Sequence, residues 1–438
     1  MSYINNYNIH LCRKWLLLGT FALAISGILS IFIVLLRLPI SKSFFADVNR
    51  IFDTSLVIHV NLSVLVWGCS IISMISSFMI SNIKYSGYFK YLCYSAFTGT
   101  LLMILSTFFT NAEPIKNNYI PIINNQYFLL GLLIFIMSIL CYSILSTKCR
   151  SSKILQGISL GIYGNSIILI CAILCFSMSY YTIHTQKYTP VLFYEHMFWG
   201  GGHVLQLAFS QTLLLVFIIM LEQKSKFLQT NIVNIIFSIN TLSTIFTPIV
   251  YISNPADSQS IIDFFTWHMR IAGGFIPICL FILALFNIKT LSNPKYHSLI
   301  CAILLFNYGG ILGILSMQGN VTIPAHYHGS IVGMTIAFMG FIYWIIPKIG
   351  FSKINITIAN IQIYIYSLGQ FLHITGLEWL GGYGAIRKVT HLPSTASKIA
   401  QHCFTFGGLM AIIGGCLFVI LILQQVCKKE SHLQPLKQ

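Results

Sequence analysis

Charge is what this chain has least of. Only 8% of its 438 residues are Asp, Glu, Lys or Arg, where a soluble domain carries about 25%. That excludes any sizeable soluble domain. Acids are the scarcer sign, nine Asp+Glu against 25 Lys+Arg, for a net charge of +16. In a soluble protein this excess would suggest nucleic acid. Here the basic residues sit mostly in short connections between apolar runs, where they act as topology signals, so no nucleic-acid partner is expected. No CxxC occurs among the twelve cysteines, which excludes a zinc knuckle and the CxxCH of a covalent c-type heme. The cysteines lie mostly in apolar runs and read as small interior residues. No linker or low-complexity stretch breaks the chain, so residues 1–438 read as a single transmembrane domain.

What is present is hydrophobic length. The chain is 56% hydrophobic, with a mean hydropathy of +0.81. A span needs about 20 apolar residues. Twelve runs qualify, at roughly 15–36, 52–80, 90–110, 126–146, 154–180, 192–221, 231–252, 259–287, 298–317, 325–347, 356–378 and 400–426, which predicts an all-α polytopic bundle. The first run is full length behind a short N-terminus, as in a retained helix rather than a cleaved signal. Sixteen of the 25 basic residues fall in segments on the N-terminal side of the membrane, eight on the other, and Arg270 lies within a span. The positive-inside rule then places both termini in the cytoplasm.

Histidine supplies the functional signal. With that orientation, spans 2, 6, 8, 10 and 12 all run inward from the outer surface. His59, His203, His268, His326, His328 and His402 fall in their first halves, sharing one layer. Ionisable groups inside a bilayer are costly and usually functional, and imidazole is a common metal ligand. The pair in Ala325-His326-Tyr327-His328 is the sharpest feature. Residues two apart on a helix point about 200° away from each other, so these imidazoles serve two separate partners rather than one metal.

The pattern resembles subunit I of the heme-copper oxidase superfamily. The resemblance is carried by Asp53-Thr54-Ser55-Leu56-Val57-Ile58-His59-Val60-Asn61 in span 2 and by Glu195-His196-Met197-Phe198-Trp199-Gly200-Gly201-Gly202-His203-Val204 in span 6. The span 10 pair, followed by Met339-Gly340 and Trp344, and Gly384-Ala385-Ile386-Arg387-Lys388 before span 12 complete it. It implies a twelve-helix subunit I-like bundle. His59 and His328 would be the axial ligands of a low-spin heme, and His326 the proximal ligand of a high-spin heme with an open face. Arg387 and Lys388 would hold heme propionates. The three glycines before His203 would permit close helix packing or the approach of a flat macrocycle.

The chain departs from that pattern at the family's copper, which is bound by three histidines. His203 matches the first. The expected pair just past span 7 is replaced by Thr247-Pro248-Ile249-Val250-Tyr251, and His268 is the nearest remaining candidate. Two histidines make a poor copper site, so a degenerate one is expected. The tyrosine expected four residues after His203 is Leu207. Asp53, Glu195, Asp263 and Glu378 lie near outer span ends, and no span carries an inner-half carboxylate or lysine. Proton entry from outside, without pumping, follows as an expectation. His373 and His402 read as supporting residues, and Arg270 as a partner for Asp263 or a propionate.

The resemblance therefore implies a catalytic subunit of a respiratory terminal oxidase, a cytochrome c oxidase-like oxidoreductase reducing O₂ to water at the His326 heme. It would sit in a bacterial inner (plasma) membrane with other oxidase subunits, fed by an external donor, cytochrome c or quinol. Two alternatives stand beside it: a nitric oxide reductase-like enzyme, and a non-catalytic membrane heme protein (sensor, carrier or assembly factor) that has lost copper.

Overall fold

A computed structural model describes residues 6–37, 41–80, 85–109, 113–149, 156–221, 231–315, 321–382 and 398–428. The apolar runs become helices. Eleven are long and apolar enough to span a membrane. In chain order they are α1 (Tyr7–Leu36), α2 (Val48–Ser76), α3 (Ser86–Phe108), α4 (Gln126–Lys148), α5 (Gly157–Ile183), α6 (Pro190–Leu221), α7 (Asn231–Ile252), α8 (Gln259–Phe286), α9 (Pro294–Leu315), α10 (Thr322–Ile349) and, last, α12 (Lys398–Cys427). Between the last two lies α11 (Ile356–Gly382), equally long but more polar, with Gln362, Gln370, His373 and Glu378 along it. The fold is the expected all-α polytopic bundle. The helices overrun the apolar runs because polar caps start them. Asp47 accepts from Arg50 N at the head of α2, Asn125 from Phe128 N at α4, and Ser258 from Ile261 N at α8.

By internal contacts the chain forms two compact units, Met1–Ile219 with Lys226–Cys279 and Met220–Ser225 with Leu280–Gln438. The division falls within α8. In the first unit, α3 and α4 meet at Gly99 and Gly131, each facing the other's backbone. In the second, Gly309 of α9 lies against Gly329 of α10. Without a hydrophobic drive between helices in lipid, such backbone approach is a main source of attraction.

Burial singles out the functional helices. The apolar windows of α2, α6 and α10 are 72%, 94% and 78% buried, against 22% for α8 and 28% for α12. The three most buried spans are those that carry His59, His203 and the His326/His328 pair. A helix hydrophobic all round belongs inside, and a polar side chain on it must find its partners within the protein.

A short sheet lies between two of the spans. Residues Pro114–Ile115 (β1) pair antiparallel with Ile122–Ile123 (β2). This hairpin, on the connection between α3 and α4, folds back onto α2 and α6.

Candidate functional site

His59 stands next to last in the regular first part of α2. The helix then widens into a π-helical turn, Asn61–Val66, before resuming at Trp67. Such turns are rare and cluster at functional sites. The His59 carbonyl accepts from Ser63 Oγ at 2.7 Å and from Ser26 Oγ of α1 at 3.2 Å. The ring Nδ1 lies 2.9 Å from both the Ser26 carbonyl oxygen and the Ser26 hydroxyl, whose own hydrogen goes to the His59 carbonyl. A carbonyl only accepts, so Nδ1 carries the hydrogen and Nε2 keeps the lone pair.

His326 and His328 sit in the first turns of α10 and turn toward different helices, His326 to α9 and His328 to α11. His326 Nδ1 donates to the Gly309 carbonyl of α9 at 2.7 Å, and any side chain on Gly313 of α9 would strike its ring. His328 Nδ1 donates to the Pro324 carbonyl one turn back at 2.8 Å. Its ring stacks on Tyr327 and lies 5.6 Å from that of His373 on α11. His373 in turn donates to the Phe404 carbonyl and stacks on the Phe404 ring. All three imidazoles, His59, His326 and His328, therefore hold the same tautomer, with Nε2 as the lone-pair nitrogen. A backbone carbonyl on Nδ1 is the usual outer support of a histidine that ligates metal through Nε2. The donor set fits heme iron.

His203 differs. It is 4% exposed. Its Nδ1 donates to the Trp199 carbonyl at 2.7 Å, and its Nε2 lies 2.7 Å from the Tyr119 hydroxyl, which the hairpin brings in. Several contacts hold the hairpin. Lys116 pairs with Asp53 at 2.8 Å, and Asn61 Nδ2 donates to the Pro121 carbonyl at 2.6 Å. Glu195 accepts from both the backbone and the side-chain amide of Asn118. Asn117 Oδ1 turns the tip by accepting from Tyr119 N and Ile120 N at 3.0 and 2.8 Å.

The three glycines before His203 seat protein side chains. A Cβ on Gly200 would meet Tyr251 and Phe265, one on Gly201 would meet Phe176, and one on Gly202 would meet the Tyr119 ring. The space expected for a macrocycle at this turn is filled by aromatic rings.

His268, at the head of a second π-helical turn (Met269–Gly273), donates through Nε2 to the Ser243 carbonyl at 2.9 Å. Its Nδ1 is buried without a hydrogen-bond partner. Phe265 packs against both histidine rings, 6.0 Å from His203 and 6.5 Å from His268. Among the described residues no group of three or more His, Cys, Asp or Glu side chains is placed to hold a metal ion. The residues at the expected copper position therefore do not fit copper. His196 lies outward, its ring beside Tyr188. Arg270 lies over the Trp267 ring, while Asp263 accepts from Gln259. His402 is exposed, and Arg387 and Lys388 lie outside the described residues.

Residues 10–417 match the sequence family described as cytochrome c and quinol oxidase polypeptide I. The chain belongs to this family. It is a subunit I protein of the heme-copper oxidase superfamily, and the lack of a three-ligand cluster among the described residues is consistent with a degenerate copper site. An uncharacterized protein of Rickettsia prowazekii (strain Madrid E) is 31% identical over 494 residues, 95% of this chain and 96% of that one. Another, from Aquifex aeolicus (strain VF5), is 21% identical over 347 residues, 77% and 85% of the two chains. A heme-copper terminal oxidase dimer solved by cryo-EM shares the fold, with a TM-score of 0.72 over 98% of this chain and 85% of that chain at 14% identity.

Within this family member, the histidines of spans 2 and 10 give their Nδ1 hydrogen to backbone carbonyls, and the span 6 histidine meets a phenol as well. The partners Ser26, Gly309, Pro324, Trp199 and Ser243 act mostly through backbone carbonyls, which no sequence motif marks. Tyr119 acts through its side chain. Its signal was the turn chemistry of Lys116-Asn117-Asn118-Tyr119, where Asn favours a tight reversal.

Proposed function

We propose that this chain is the heme-bearing subunit of a respiratory terminal oxidase. His59 and His328 would hold a low-spin heme and His326 a high-spin one, a pairing that rests on the family's motif positions. The first heme would carry electrons and the second, with an open face, would bind and reduce O₂. The observation that carries the reading is the common tautomer of His59, His326 and His328. Each spends its Nδ1 hydrogen on a backbone carbonyl. That locks the ring's orientation and makes Nε2 the more basic donor toward iron.

The remaining assignments are drawn from charge and composition. Arg387 and Lys388 would receive propionates. Both termini would face the cytoplasm of a bacterial inner membrane. The electron donor, cytochrome c or quinol, and further oxidase subunits would be external, since the chain has no CxxCH and no room for a soluble copper domain. No step is assigned to copper. Protons would enter from the outer side, where Asp53, Glu195 and Asp263 lie.

A second reading is favoured by the occupied His203: a membrane heme protein that binds its hemes but turns nothing over. Heme quantitation and turnover separate the readings. Two hemes per chain with O₂ consumption supports the oxidase. Two hemes with NO consumption instead supports a reductase, and two hemes with neither supports the non-catalytic protein. Purified protein without heme, its spectrum unchanged by His59→Ala and His328→Ala, would sink all three.

A further inference from the structure

The fold leaves His203 no nitrogen for a metal. Nδ1 holds its hydrogen on the Trp199 carbonyl, and Nε2 receives the Tyr119 hydroxyl, both at 2.7 Å. A metal could reach this imidazole only by displacing Tyr119, and the phenol is restrained on several sides. Its ring fills the notch at Gly202, where any side chain would collide with it. Trp199 stands edge-on to it at 5.8 Å. The hairpin that carries it is fastened to α2 by the Lys116–Asp53 ion pair and the Asn61–Pro121 hydrogen bond, and to α6 through Asn118 and Glu195. His268, also in the first unit, is directed by its own bond to the Ser243 carbonyl, with the Phe265 ring packed against both imidazoles.

We infer that Tyr119 takes the metal's place on His203. The protein carries no copper at this histidine, and the phenol, rather than a metal ion, positions the imidazole. The pair holds one proton between Tyr119 Oη and His203 Nε2. This goes beyond the heme assignments and does not depend on them. Tyr119 is a positioning residue, and it reaches the site from a hairpin outside the spans, on a part of the chain that the superfamily resemblance does not mark.

The test uses the full-length protein from copper-replete cells, with iron and copper measured in the same sample. Well under one copper per chain is expected, both as purified and after incubation with Cu(I) and removal of the excess. One copper per chain that disappears in His203→Ala would overturn the inference. The expected outcome is read on wild-type protein alone; the overturning outcome needs the variant, and His203→Gln is measured in its place if His203→Ala fails to fold. The second arm reads the phenol itself. With ring-labelled tyrosine, the infrared difference between wild type and Tyr119→Phe isolates the Tyr119 C–O stretch. That band is expected to shift in His203→Leu, as a hydrogen bond is lost. A band that stays in place would overturn the pairing. Iron in the same samples reports on the heme reading separately. Protein lacking both iron and copper would defeat the heme assignments and leave Tyr119 on His203 intact.

Discussion

His326 and His203 are both helix-borne imidazoles that give their Nδ1 hydrogen to a backbone carbonyl at 2.7 Å. They differ in what meets the other nitrogen. His203 Nε2 receives a phenol from a hairpin fixed at both ends. Among the described residues no hydrogen bond reaches His326 Nε2, and its ring lies against Gly309 and Gly313 of α9. The comparison teaches that a motif histidine is defined by its second nitrogen. Both residues give up Nδ1 in the same way, yet only at His203 does a phenol meet Nε2.

The largest contrast should come from removing each ring in turn. His326→Ala is expected to abolish the CO-binding heme signal while the low-spin signal remains. His203→Ala should leave both heme signals in place. Its cost falls on stability, about 1–3 kcal/mol for the loss of two part-buried hydrogen bonds, read as a lower temperature of detergent-solubilised unfolding. Heme loss in His203→Ala at full folding would erase the distinction.

Steric variants sharpen it. Gly313→Ala places a methyl where the His326 ring lies, and overpacking of this kind costs about 1–3 kcal/mol. The expected outcome is a weakened or shifted high-spin heme spectrum. Gly202→Ala pushes instead on Tyr119. A similar stability loss is expected there, without any change in heme absorption.

The smallest effects belong to the hairpin's fastenings. Asn61→Ala removes an amide that serves both Val57 and Pro121 carbonyls and should cost about 1–2 kcal/mol. Lys116→Met breaks a partly exposed ion pair worth at most about 1 kcal/mol. Both should speed proteolysis within residues 113–125 and leave heme absorption unchanged.

The architecture was legible in the sequence because hydropathy alone fixes where a bilayer span can lie, and every expected run became a helix. The different directions of His326 and His328 were legible because they follow from helical pitch. Three features were hidden. The π-helical turns after His59 and His268 carry no local sequence signature, and the Ser26 hydroxyl on the His59 carbonyl comes from another helix. The Gly200-Gly201-Gly202 notch showed that something flat approaches, while its occupants, Tyr251, Phe265, Phe176 and Tyr119, come from distant positions. The inward fold of the hairpin depends on long-range contacts from Lys116, Asn118 and Pro121. The weakness of the copper site was visible as missing histidines, but its closure by a phenol was not.

Electron paramagnetic resonance of the oxidised, full-length protein tests the heme reading most directly. The account predicts one low-spin signal of bis-histidine type and one high-spin ferric signal per chain, the first lost in His59→Ala or His328→Ala and the second in His326→Ala. A spectrum without ferric heme signals, or signals that survive all three substitutions, would contradict it.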